Sequence, residues 1–78
     1  MQLTDDIVAE IRLLSLFNLA SHQEGVKVHH DAEPQLIEAA KRLFSKGLTT
    51  QADGGYLTDL GVEVAEHAQR MLTILKSN

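Results

Sequence analysis

Cysteine and tryptophan are absent from this sequence of 78 residues, and proline occurs only once. Without cysteine the chain cannot form a disulfide bridge, and this absence fits a reducing compartment. The longest apolar stretch, residues 11–20, is interrupted by Arg12, Ser15 and Asn18, so it is too short and too polar to cross a membrane. No basic stretch followed by an apolar core opens the chain, so no signal peptide is predicted. We therefore expect a cytoplasmic protein with a single domain over residues 1–78.

Signals for catalysis are also missing from the chain. None of the four serines lies in a nucleophile-elbow motif, and there is no cysteine to serve as an alternative nucleophile. The carboxylates fall on polar helix faces or at helix caps, where nothing indicates a catalytic pair. The Gly54-Gly55 pair is too short for a phosphate-binding loop and is better explained by a turn. The sequence therefore predicts no enzymatic activity and no cofactor.

Several histidines are candidate metal ligands. His29, His30 and Asp31 are consecutive, and His22 and His67 could join them. However, adjacent residues on a strand point to opposite faces, and a structural zinc site needs four placed ligands. No metal site is therefore predicted, and the pair 29–30 is interpreted as one half-buried and one exposed histidine.

Acidic residues outnumber basic ones, but the excess is confined to one part of the chain. The formal net charge is −4, which argues against general nucleic-acid binding. Residues 1–33 carry this whole excess, whereas residues 34–78 are neutral. Between Ala39 and Ala52 there are three basic residues and no acidic one. The charge distribution is therefore still compatible with a local contact between this basic segment and a nucleic acid.

Three helices are predicted from apolar spacing and capping residues. The first covers about residues 5–21, with Thr4 as its N-cap. The second covers about 32–46, with Asp31 as its N-cap and Gly47 as the left-handed residue that ends it. The third covers about 59–76, with Thr58 as its N-cap. The second half of the first helix is apolar nearly all round, which predicts that it needs cover on more than one face.

Three short strands are predicted between these helices. Residues 26–30 alternate and contain β-branched valines, which favours a strand. Residues 48–51 and 56–58 flank a turn at 52–55, where Asp-Gly suits a primed hairpin turn. The predicted order is α-β-α-β-β-α, an α+β fold with three helices and a small three-stranded antiparallel sheet.

Residues 43–48 read Leu-Phe-Ser-Lys-Gly-Leu and residues 57–61 read Leu-Thr-Asp-Leu-Gly. With these two motifs the segment 43–61 resembles winged-helix transcription regulators of the MarR and PadR families. In those families a helix ends in Leu-x-x-Lys-Gly-Leu, a two-stranded wing follows, and Leu-Thr-x-x-Gly opens the next helix. The matching positions here are Leu43, Lys46, Gly47, Leu48, Leu57, Thr58 and Gly61. The whole chain is also similar to a small bacterial family of uncharacterised proteins, sometimes labelled DNA-binding or DNA-binding-inhibitor-related. One departure is that only one helix fits between His30 and Gly47, so the helix that normally supports the recognition helix is missing.

The resemblance implies a DNA-binding face on the second helix and the wing. Its cations would neutralise phosphates, and Arg42 or Gln35 would reach base edges. The candidate residues are Gln35, Lys41, Arg42, Ser45, Lys46, Thr49, Thr50 and Gln51. The alternative interpretation is an ordinary solvated helix face, in which Glu38 and Arg42 form an i,i+4 pair.

The same resemblance, together with the apolar first helix, implies a homodimer formed by the terminal helices. The candidate interface residues are Leu13, Leu16, Phe17, Ala20, Val64, Ala68, Met71, Leu72 and Leu75. The alternative is that the apolar stripes of the two terminal helices simply pack on each other and on Leu36, Leu43 and Phe44 within one chain.

Two functions remain open from the sequence. The first is a small, non-enzymatic DNA-binding or transcription-associated protein of winged-helix type, acting as a dimer on double-stranded DNA. The second is a protein–protein interaction module of winged-helix ancestry that does not bind DNA.

Overall fold

The computed structural model describes residues 2–21 and 23–77, so His22 of the metal hypothesis lies outside the described residues. It contains three helices and one three-stranded antiparallel sheet, in the order predicted. The elements are α1 (Asp5–Leu14), β1 (Val26–Lys27), α2 (Pro34–Ser45), β2 (Thr49–Gln51), β3 (Gly54–Leu57) and α3 (Asp59–Lys76). The central strand is β3, with β1 and β2 on its two sides. The predicted α+β fold class and element order are therefore confirmed.

Helix α1 begins where predicted but ends much earlier. Thr4 caps it by accepting a hydrogen bond of 3.2 Å from the Ile7 amide. The helix stops at Leu14, and the side-chain amide of Gln69 donates to the carbonyl oxygens of Leu14 and Phe17, at 3.1 and 2.8 Å. These bonds satisfy carbonyl groups that a continuing helix would have used itself. The prediction of a helix to residue 21 is therefore wrong, because a side chain from α3 ends the helix.

Helix α2 begins at Pro34 and not at residue 32. Glu33 precedes the proline and has an extended conformation, with φ −54° and ψ 135°. A residue before proline is pushed out of the helical region by contact with the ring. Asp31 is consequently too far from the helix to cap it, and Glu33 occupies the cap position without a side-chain bond.

The sheet is smaller than predicted, and its turn differs. Strand β1 covers only Val26–Lys27, although the Val28 amide still donates to the Asp53 carbonyl at 2.8 Å. The positive φ angles fall on Gly54 (120°) and Gly55 (76°), and no residue other than glycine has one in the described chain. Asp53 therefore does not take the left-handed conformation of a primed Asp-Gly turn, and both glycines belong to β3.

Small residues form much of the core, which allows the three helices to approach closely. The buried cluster consists of Ala9, Leu13, Leu14, Ala39, Ala40, Leu43, Leu48, Ala65 and Ala68. Helix α3 contributes only Gly61, Ala65 and Ala68 as buried residues. Its larger side chains, among them Leu60, Met71, Ile74 and Leu75, are exposed. No helix among the described residues is both long enough and apolar enough to cross a membrane.

Candidate interaction surfaces

The end of α2 is closed by a Schellman motif. Gly47 has a φ of 79°, and its amide donates to the Phe44 carbonyl at 3.0 Å. The Leu48 amide donates to the Leu43 carbonyl at 2.9 Å, and both leucines are buried in the core cluster. This pairing of bonds and apolar contact is the usual end of a helix at a left-handed glycine. The role predicted for Gly47 is confirmed.

Thr58 joins this helix end to the start of α3. Its hydroxyl donates to the Gly47 carbonyl at 2.6 Å and accepts from the Gly61 amide at 3.0 Å. Its own amide donates to the Leu48 carbonyl at 3.0 Å. A β-carbon on Gly61 would collide with that same Leu48 carbonyl oxygen. Gly47, Leu48, Thr58 and Gly61 therefore form one hydrogen-bonded junction between α2 and α3.

Two cations of the basic segment are held by a buried carboxylate of α1. Glu10 is only 6% exposed. Its Oε2 accepts from Arg42 Nε at 3.1 Å, and its Oε1 is in close contact with Lys46 Nζ. Arg42 also donates to the Asp6 carbonyl oxygen at 3.2 Å and lies 3.8 Å from the Asp6 carboxylate. Arg42 and Lys46 are therefore part of the contact between α1 and α2.

Lys41, the third cation of the basic segment, is also paired with a carboxylate. Lys41 Nζ lies 2.9 Å from the Glu38 carboxylate, and both side chains are well exposed. A groove between α1 and α2 is lined by Asp5, Asp6, Ala9, Pro34, Gln35, Glu38 and Arg42. Across this face the cations Lys41, Arg42 and Lys46 are paired with the carboxylates of Asp6, Glu10 and Glu38, and Asp5 lines the same groove. This face therefore carries no excess of positive charge, whereas a phosphate-binding surface would carry one.

Some of the uncharged residues predicted to contact DNA are exposed, and one is buried. Gln35, Ser45, Thr50 and Gln51 are exposed on α2 and β2. Thr49 is only 3% exposed, and its hydroxyl donates to the Gln51 carbonyl at 3.2 Å. Thr49 therefore cannot reach DNA, contrary to the prediction, because its side chain points into the body of the protein.

The residues predicted to form the dimer interface also include both buried and exposed side chains. Leu13, Phe17 and Ala68 are 0%, 4% and 8% exposed, so the chain itself already covers them, contrary to their prediction as interface. Val64 and Leu72 are half-buried. The exposed candidates are Leu16, Ala20, Met71 and Leu75. The apolar second half of the predicted first helix is thus largely internal, whereas part of the apolar surface of α3 is exposed.

Two further apolar residues of α3, Leu60 and Ile74, are exposed but were not among the predicted dimer residues. They are 50% and 59% exposed. The signal that reveals them is an alternation of four and three residues along α3, through Leu60, Val64, His67, Met71 and Ile74. This series defines the surface called here the α3 stripe.

A second groove, of about 480 Å³, lies between the chain that follows β1 and helix α2. Val28, Ile37 and Ala40 give it an apolar floor, and Lys27, Lys41 and Asp53 are among its charged walls. His29 and His30 also line it and are both exposed, so the expectation that one is half-buried is wrong. Residues 2–21 and 23–77 contain no group of three or more histidine and acidic side chains placed to hold a metal ion.

The fold and these surfaces define a small α+β domain with an exposed apolar stripe on its last helix. The model of a family of unknown function, DUF5669, matches residues 1–76, and the chain belongs to that family. No curated protein and no solved structure matches the chain.

Proposed function

We propose that the protein is a non-enzymatic protein–protein interaction module of winged-helix ancestry, which works as a homodimer. One observation carries this proposal. The three cations of the predicted DNA-binding face are each paired with a carboxylate of the same chain, whereas large apolar side chains of α3 are open. The lack of cysteine supports a reducing compartment such as the cytoplasm as its location.

The ion pairs oppose phosphate binding because one of their members is buried. If Arg42 and Lys46 turned to phosphates, the Glu10 carboxylate would be left without a partner in a site that is 6% exposed. Leaving a buried charge uncompensated costs about 3–5 kcal/mol. This cost offsets much of what two phosphate contacts contribute.

Exposed apolar side chains on α3 favour a protein partner. Leu60, Met71, Ile74 and Leu75 are between 43% and 72% exposed. Fully burying a side chain of this size contributes about 1.5–3 kcal/mol relative to leaving it exposed, so covering four half-exposed ones is worth several kcal/mol. A partner that covers α3 therefore has a larger driving force than one that binds α2 by charge.

DNA binding is the second candidate, and the junction between α2 and α3 is the observation that favours it. The resemblance to the MarR and PadR families implies a helix end, a two-stranded wing and an N-cap in this order, and the junction is consistent with it. Gln35, Lys41, Ser45, Thr50 and Gln51 remain exposed beside it.

Two measurements on the full chain separate these functions. Fluorescence anisotropy with a labelled random-sequence duplex, at about 50 and about 200 mM salt, reports phosphate contacts, which weaken strongly over that range. Sedimentation equilibrium at the same salt concentrations reports self-association. The proposal expects a dimer at micromolar protein and no binding to the duplex. A monomer that binds the duplex in a salt-sensitive way would instead establish the second candidate.

A further inference from the structure

We propose that α3 pairs with α3 of a second copy in an antiparallel arrangement, with a two-fold axis passing beside His67. This inference rests on the proposed homodimer and specifies its geometry. It follows from the spacing of the α3 stripe and from two charges beside it.

The α3 stripe is separate from the side of the helix that packs on the core. The core side consists of Gly61, Ala65 and Ala68, which are buried. On the α3 stripe, Leu60, Met71 and Ile74 are 50%, 43% and 59% exposed, His67 is exposed, and Val64 is half-buried against the core. Apolar positions that alternate by four and three residues form the seam of a two-helix coiled coil. The stripe therefore has the geometry that a second helix requires.

The α3 stripe is nearly symmetric about its centre. Leu60 and Ile74 lie equally far from His67, and Val64 and Met71 lie on either side of it. If a second α3 runs in the opposite direction about this axis, Leu60 lies level with the partner's Ile74, and Val64 lies within one residue, about 1.5 Å, of the level of the partner's Met71. His67 faces the partner's His67 across the axis. Such a self-complementary contact is the closed arrangement typical of homodimers.

Two charges beside the stripe select the antiparallel direction. Glu63 and Arg70 are both exposed, and neither forms an ion pair within the part of the chain that the structure describes. They are separated by about 10.5 Å along the helix, too far to pair with each other. Because they lie on opposite sides of His67, the reversed helix places Glu63 opposite the partner's Arg70, and it does so twice in each dimer. In a parallel coiled coil, a residue in the position of Glu63 or Arg70 faces the partner residue five positions further along the chain. Those residues are Ala68 and Leu75 of the partner, which carry no charge.

A membrane surface is a poorer occupant of the α3 stripe. Helices that lie on membranes carry lysine and arginine on their polar face. Here the exposed polar residues of α3 include Asp59, Glu63 and Glu66 as well as Arg70. The stripe therefore lacks the cationic border that attracts an anionic bilayer.

Charge reversal tests the pairing of Glu63 with the partner's Arg70. Dimer dissociation constants would be measured by sedimentation equilibrium for Glu63→Arg, Arg70→Glu and the double variant. We expect about a tenfold weakening for each single variant, because each creates two like-charge contacts in one dimer, and recovery in the double variant. The matched control is Glu66→Arg, an exposed change outside the stripe, which should leave the constant within about threefold. Single variants that dimerise as well as the control, or a double variant that fails to recover, would overturn the proposal.

The lack of cysteine allows a direct test of helix direction. In the antiparallel dimer, His67→Cys should give a disulfide-linked dimer on oxidation. Ile74→Cys alone should not, because its two copies lie about 21 Å apart, far beyond the 4.4–6.8 Å between the Cα atoms of a disulfide. A mixture of Leu60→Cys and Ile74→Cys chains should link.

The outcomes of this test separate the two proposals. Self-linking of Ile74→Cys would show a parallel pair and overturn the antiparallel one. A dimer in sedimentation that none of these cysteines links would place the dimer contact elsewhere, so this inference would fail and the homodimer would stand. A chain that stays monomeric at every concentration would overturn both.

Discussion

The carboxylate of Glu10 lies 3.1 Å from Nε of Arg42, in a position where Glu10 is only 6% exposed. The contact joins α1 to α2 across residues that are far apart in the sequence. A buried carboxylate of this kind is costly when its partner is removed, since the charge keeps its desolvation cost and loses its compensation.

We expect Arg42→Ala to lower the free energy of unfolding by about 2 kcal/mol, less than for a fully buried pair because Lys46 still contacts Glu10. Urea denaturation followed by circular dichroism measures this change. The matched control is Lys41→Ala, which removes only the exposed pair with Glu38 and should cost about 0.5 kcal/mol. Equal losses in the two variants would show that the contact with Glu10 adds nothing to stability.

Gln69→Ala should lower the free energy of unfolding by about 1–2 kcal/mol. The change removes two hydrogen bonds, to the carbonyl oxygens of Leu14 and Phe17, that cap the end of α1. Amide hydrogen exchange should also become faster in residues 15–17, where the chain leaves the helix. Gln35→Ala, an exposed change on α2, serves as the control and should leave both measurements unchanged. Unaltered exchange in Gln69→Ala would refute the capping role.

Gly61→Ala should be more damaging than Gly47→Ala, although both glycines belong to the same junction. A methyl group at Gly61 would collide with the backbone carbonyl of Leu48, whereas nothing lies within 4 Å of the corresponding position on Gly47. At Gly47 the cost is limited to the left-handed conformation, about 1–2 kcal/mol. Thermal unfolding of the two variants gives the comparison, and Gly61→Ala should show the larger fall in Tm. The reverse order would mean that α3 can move away from Leu48 at little cost.

Ile74→Asp should make the chain monomeric without unfolding it. Ile74 is 59% exposed, so the charge does not disturb the core, but in a dimer it would be buried without a partner. Size-exclusion chromatography with light scattering measures the molar mass, and circular dichroism confirms the fold. Leu3→Asp is the matched control, because Leu3 is 65% exposed and lies before α1. A dimer that survives Ile74→Asp would exclude this part of α3 from the contact.

Local signals were sufficient for α3 and for the junction. Thr58 caps α3 and Gly47 ends α2, and both roles depend on neighbours within a few residues. By contrast, the end of α1 depends on Gln69, which is 55 residues from Leu14 in the sequence. The pairing of Glu10 with Arg42 spans 32 residues and with Lys46 spans 36. Contacts of this range leave no periodic pattern, so the basic segment was interpreted as a solvated, DNA-facing surface.

The sequence did not separate the core side of α3 from its exposed side. The residues predicted on its apolar face include Ala68, which is buried, and Met71 and Leu75, which are exposed. Close helix approach needs small side chains, and a pattern that counts only hydrophobicity does not distinguish the two sides.

The ion pairs of Glu10 have a consequence for any anionic ligand of α2. Glu10 belongs to the same folded chain as Arg42 and Lys46, so it competes for them as a tethered anion whose local concentration is set by the fold. Diluting the protein does not weaken this competitor, and a phosphate must displace it at every encounter. Any anion that approached Arg42 and Lys46 would therefore meet a site that the Glu10 carboxylate of α1 already occupies.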